Sequence, residues 1–82
     1  MKHAQEDTIN KVESQLSRIR NIQKLKEKKK GIFYKRSEAF LHFHESEDNL
    51  FADLKENGKW LRMKVSDNNE WDSLVDKIRE VL

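Results

Sequence analysis

The chain reads as an α+β domain made of an N-terminal helix, a four-stranded antiparallel β-meander over residues 31–65 and a C-terminal amphipathic helix. Three observations predict it. Ile9, Val12, Leu16, Ile19 and Ile22 recur at spacings of three and four; between Gly31 and Val65 the apolar period changes to two; and Trp71, Leu74, Val75, Ile78 and Leu82 form a second helical stripe.

The first helix spans residues 4 to about 24, a segment without Gly or Pro. Its stripe begins with coiled-coil spacing but falls short of the roughly three to four heptads a coiled coil needs. The sheet, or a second copy of the same helix, has to cover it. Asp7 or Thr8 can cap its start, which leaves the first few residues, His3 included, frayed and without a role. Lys24, Lys26, Lys28, Lys29 and Lys30 then continue it as a basic run, so that residues 1–30 form one basic N-terminal helix ending at Gly31 in a left-handed cap. Lysines suit the negative end of the helix dipole. The same cluster also offers a salt-sensitive phosphate contact.

The strands are expected at 32–35, 39–45, 50–55 and 59–65. Asn57-Gly58 suits a two-residue type I′ turn, which sets Glu56 opposite Lys59, Lys55 opposite Trp60, Leu54 opposite Leu61, Asp53 opposite Arg62 and Ala52 opposite Met63. Charge pairs and apolar pairs thus agree with the turn. The acidic loop Ser46 to Asn49 closes the preceding hairpin with His42 opposite Asp53, and Lys35 to Glu38 closes the first with Phe33 opposite Phe40. One face then carries Ile32, Leu41, Phe43, Ala52, Leu54, Leu61, Met63 and Val65, and this is the expected core face. Ser66 or Asp67 caps the last helix, 67–82, with Glu70 spaced for a capping box, and its stripe should lie across that face.

The opposite face presents Phe33, Phe40, His42, His44, Phe51, Asp53, Trp60, Arg62 and Lys64. So many aromatics on a face left to solvent imply that something covers or binds it. Across the middle run His42, Asp53 and Arg62, where one carboxylate can hold an imidazole and a guanidinium. The favoured reading is a non-enzymatic protein whose aromatic face and long helix mediate self-association or docking of a protein partner, a homodimer first. The alternative is a platform for single-stranded nucleic acid or another phosphate-bearing ligand, with bases on the aromatics and phosphates on the cations.

A second alternative is a histidine-based metal or acid–base site built from His42, His44 and Asp53. Two histidines two apart share a strand face, but a stable zinc site takes three or four protein ligands, so no metal and no cofactor is assigned. His42, opposite Asp53, is the better acid–base candidate, and His44 reads as a solvated strand end. An enzyme is not favoured: Ser37 and Ser46 lie in turns without a base, and no Gly-rich phosphate loop is present.

Composition bounds the rest. At 82 residues the chain is one small domain, too small to enclose a roomy active site. With no cysteine and no basic-then-apolar leader, a cytoplasmic location is expected, and no apolar run approaches a membrane span. Residues 1–36 hold eleven Lys and Arg against four acidic residues (+7), and residues 37–82 hold six against eleven (−5), which gives the net +2. Such a dipolar chain can neutralise itself on folding.

Overall fold

The computed structural model describes residues 2–82, Lys2 by its backbone alone; the fraying expected of Met1 lies outside the described residues. Elements follow in the order β1 (Lys2–His3), α1 (Glu6–Lys11), α2 (Glu13–Arg20), β2 (Leu25–Lys29), β3 (Ile32–Lys35), β4 (Glu38–Ser46), β5 (Asn49–Glu56), β6 (Lys59–Lys64) and α3 (Asn68–Val81). The antiparallel sheet runs β2-β3-β4-β5-β6, and the short β1 pairs β4 off that path. The class is α+β with helices at both ends of the chain, but the sheet has more strands than the four expected.

The first difference concerns the N-terminal helix, which is two helices that end at Arg20. Val12 breaks them, at φ −111° and ψ 23°. Neither Asp7 nor Thr8 caps the start. Gln5 is the N-cap without a side-chain bond of its own; instead the Glu45 carboxylate on β4 accepts from the Gln5 backbone N–H (3.1 Å) and from Thr8 Oγ1 (2.6 Å). A carboxylate delivered through the tertiary fold thus answers the N-cap N–H and sits at the positive end of the helix.

The basic run is the second difference. Most of it is strand β2, hairpinned to β3 through Lys30-Gly31, with Lys29 opposite Ile32. Gly31 does take φ +81°, but in a turn between strands and not as a helix cap. Alternation explains the strand: Leu25 faces the core, Lys26 pairs Tyr34 on the other face, and Glu27 returns to the helix side opposite Phe33. There Glu27 bonds Arg20 of α2, which also holds Glu13.

The remaining turns follow the expected register. Asn57 (φ 53°) and Gly58 (φ 77°) both lie in the left-handed region, and Glu56 pairs Lys59, Asp53 pairs Arg62 and Ala52 pairs Met63. His42 pairs Asp53 and Phe43 pairs Ala52 across β4 and β5. Between β3 and β4 a bulge intervenes: Tyr34 pairs Ala39, but Phe33 pairs Leu41, so Phe40 is the extra residue. The expected Phe33–Phe40 pair is therefore absent. Both side chains belong to the core, Phe33 fully buried and Phe40 nearly so, and neither lies on the second face.

All helices pack on one side of the sheet. Ile9, Leu16, Ile19 and Ile22 share a single core with Leu41, Phe43, Ala52, Leu54 and the α3 stripe Trp71, Leu74, Val75 and Ile78. The N-terminal stripe is thus buried within its own chain and is not presented to a second copy. Arg18 of α2 meets Asp72 of α3 at 2.9 Å across the helix layer. Of the expected core face, Ile32 instead stands on the other face, and Leu61 on edge strand β6 is 38% exposed. Asp67 caps α3 by accepting from the Glu70 N–H at 2.8 Å, while Glu70 reaches back to the Ser66 N–H at 2.7 Å. Among the described residues no helix is long and apolar enough to cross a membrane.

Candidate functional site

With the helices on one side, the other side of the sheet is left open, and its residues follow from the register. β2 and β3 contribute Lys26, Lys28 and Tyr34; β4 contributes His42 and His44; β5 contributes Phe51, Asp53 and Lys55; β6 contributes Trp60, Arg62 and Lys64. Lys28 reaches this face across its bulge, with Nζ 4.6 Å from the Tyr34 ring centroid, and Lys55 Nζ lies 5.7 Å from that of Trp60. Trp60 is 45% exposed. Of the nine residues assigned to this face from sequence, Phe33 and Phe40 are elsewhere, and His42, His44, Phe51, Asp53, Trp60, Arg62 and Lys64 are present. Of the lysine run, Lys26 and Lys28 arrive here and Lys29 pairs Ile32, whereas Lys24 precedes β2 and Lys30 turns to Asn10 of α1.

The middle of the face is a connected polar group. Arg62 donates from Nε to Asp53 Oδ1 and from an Nη to Asp53 Oδ2, each at 2.7 Å, a bidentate pair across directly opposed strand residues. Asp53 is a buried charged residue, 4% exposed. Its second neighbour is His44, not the His42 expected from direct opposition: His44 Nε2 lies 3.4 Å from Asp53 Oδ2. The contact is diagonal, since His44 pairs Phe51 two residues before Asp53, a reach that long side chains make readily on a sheet. His44 is accordingly no solvated strand end. His42 instead shares a hydrogen bond of 2.9 Å between its Nδ1 and His44 Nε2, and Trp60 packs edge-on to it at 4.6 Å.

Sequence reasoning missed His3. Strand β1 places it opposite His44, with ring centroids 4.5 Å apart, and 5.6 Å from that of His42. One ligating nitrogen from each of His3, His42 and His44 falls within 4.8 Å of the others. Two residues are too few for any periodicity to register. The available signal was the length mismatch between a nine-residue β4 and a four-residue β3, which leaves the far half of one β4 edge needing a partner.

Burial is the main cause that lowers the His42 and His44 pKa values below the ordinary imidazole value; Asp53 pulls the other way for both. Burial alone would raise the Asp53 carboxyl, but the hydrogen bonds and charge of Arg62 outweigh it and hold it below the usual carboxylate value. The two imidazoles are therefore neutral near pH 7. In the unfolded chain they take up protons near pH 6.5, before the folded ones do, so their contribution to stability is complete above about 6.5 and lost as pH falls through that value. Thermal melts in chelator should be flat from about pH 8 to 7 and fall toward pH 5, and His42→Gln/His44→Gln should show a shallower loss over that window. An equal slope in the double variant would assign the loss to other groups.

A concavity of about 580 Å³ lies away from this group. It lies at the other end of the sheet, between the Arg36-Ser37 and Asn57-Gly58 turns and the end of α3. Its charges are largely paired with one another or nearby: Lys55 meets Glu38 at 2.7 Å and Glu56 meets Lys77 at 3.2 Å. The open face is a sheet surface, which suits an extended ligand more than an enclosed small molecule. Compared with protein-family models, curated proteins and solved structures, the chain matches none of them.

Proposed function

We propose that the chain is a non-enzymatic binding module whose open sheet face holds single-stranded nucleic acid. The observation that carries this is the one-sided packing of α1, α2 and α3, which leaves Trp60, Tyr34 and Phe51 on a face with Lys26, Lys28, Lys55, Arg62 and Lys64 against the carboxylate of Asp53. Planar groups beside cations match what a flexible strand offers, bases to stack and phosphates to neutralise.

Self-association through the same face is the weaker reading. Two copies would bring these cations against each other, a like-charge contact that costs affinity. The N-terminal stripe is also already buried.

The test is fluorescence anisotropy with end-labelled single-stranded RNA and DNA of about 12 nucleotides, read across salt. Binding should weaken steeply with salt, as counterion release requires. Trp60→Ala should cost about 1–3 kcal/mol of binding, the usual worth of one stacking platform, and Lys26→Glu/Lys28→Glu should flatten the salt slope. No binding at low salt, or binding that neither variant changes, would end the reading.

A further inference from the structure

We propose that His3, His42 and His44 form a site for one divalent transition-metal ion of the zinc class, and that the ion staples the N-terminal strand to the sheet. Three imidazoles drawn from β1 and β4 crowd one spot, and a ligating nitrogen of each lies within 4.8 Å of the others. Zinc binds imidazole nitrogen at about 2.0–2.1 Å, which places tetrahedral neighbours about 3.3 Å apart. The 2.9 Å between His42 Nδ1 and His44 Nε2 is already that close. The wider separations have to close by about 1.5 Å, and His3 is exposed on a two-residue strand and not wedged in the core.

The surroundings also suit a cation. A hydrogen bond between two neutral imidazoles uses one N–H and one lone pair, and the same two nitrogens are close enough to face one ion. Asp53 Oδ2, 3.4 Å from His44 Nε2, supplies negative charge beside the site, and Arg62 fixes that carboxylate from the far side. A carboxylate this close adds electrostatic attraction for a dication. Three nitrogens leave one position of a tetrahedron for water or an exogenous ligand. Nitrogen donors favour zinc, nickel and copper over magnesium and calcium.

The inference stands apart from nucleic-acid binding, and either can fail alone. The test is titration of chelator-stripped full-length protein with Zn2+, and with Co2+ for its visible absorption, followed by calorimetry and thermal melts. Expected are one ion per chain, a Kd at or below the micromolar range, a tetrahedral Co2+ spectrum and a melting temperature raised by about 10 °C at a hundredfold excess over Kd. Mg2+ and Ca2+ should do nothing. His3→Ala, which removes an exposed side chain and leaves the core intact, should weaken Zn2+ at least tenfold, and His42→Ala should do the same. A Kd above about 1 mM, a stoichiometry other than one, or a His3→Ala variant that binds as the wild type does would overturn it.

Discussion

Phe33→Ala is expected to destabilise the protein by about 3–5 kcal/mol, the range for removing a large aromatic side chain from a closed core. Phe33 is fully buried, paired with Leu41 and roofed by the helix layer. Because the β3 hairpin is held by its own turns, the site cannot collapse onto the void without breaking the bulge at Phe40. Chemical denaturation measures the loss directly. Phe33→Leu, closer in volume, should cost below about 1.5 kcal/mol. On the open face, where alternation counted without a bulge places it, Phe33 would cost little to truncate and would matter to ligand binding instead. A loss under about 1 kcal/mol would therefore mean that the bulge, and with it the inward turn of Phe33, is wrong.

Asp53→Ala is the second large effect, expected at about 2 kcal/mol. Breaking a fully buried ion pair costs about 3–5 kcal/mol, and the smaller figure reflects Arg62, whose side chain is 46% exposed and finds water once the carboxylate is gone. His44 also loses an acidic neighbour. The comparison that isolates the pair is Asp53→Val/Arg62→Val, which replaces it with β-branched residues suited to directly opposed strand positions. That double variant should recover much of the loss. A single variant within about 0.5 kcal/mol of wild type would show that the Arg62 bridge contributes nothing net.

These variants probe the places where sequence reasoning was strongest and weakest. Asp53 opposite Arg62 was legible because Asn57-Gly58 admits two left-handed residues, and a two-residue turn leaves no freedom in the register that follows. The α3 stripe and its Asp67 cap were legible for a similar reason: period and cap are local properties of the chain. Phe33 was not, since a bulge shifts the parity of every residue beyond it and carries no composition of its own.

The lysine run was misread because lysine is a good helix former, and tertiary pairing overrode that weak preference once β3 offered an edge. His3 was invisible for a deeper reason. Its position depends on β4, some forty residues away, having an unpaired stretch of edge to receive it. The pairing of His44 with Asp53 escaped because direct opposition was counted and the diagonal was not.

The misread run has one more effect on how the molecule behaves among its own kind. β2 and β6 are the two ends of the strand order, and each reads as a string of cations, LKEKK on one and KWLRMK on the other. An unprotected edge invites another chain to continue the ladder, which is how sheets grow into fibrils. Here any copy approaching edge to edge meets lysine against lysine, so the ladder stops where the chain stops. The protection is electrostatic and fades as salt shortens its reach to about 8 Å at physiological strength, while the folded core beneath it is unaffected.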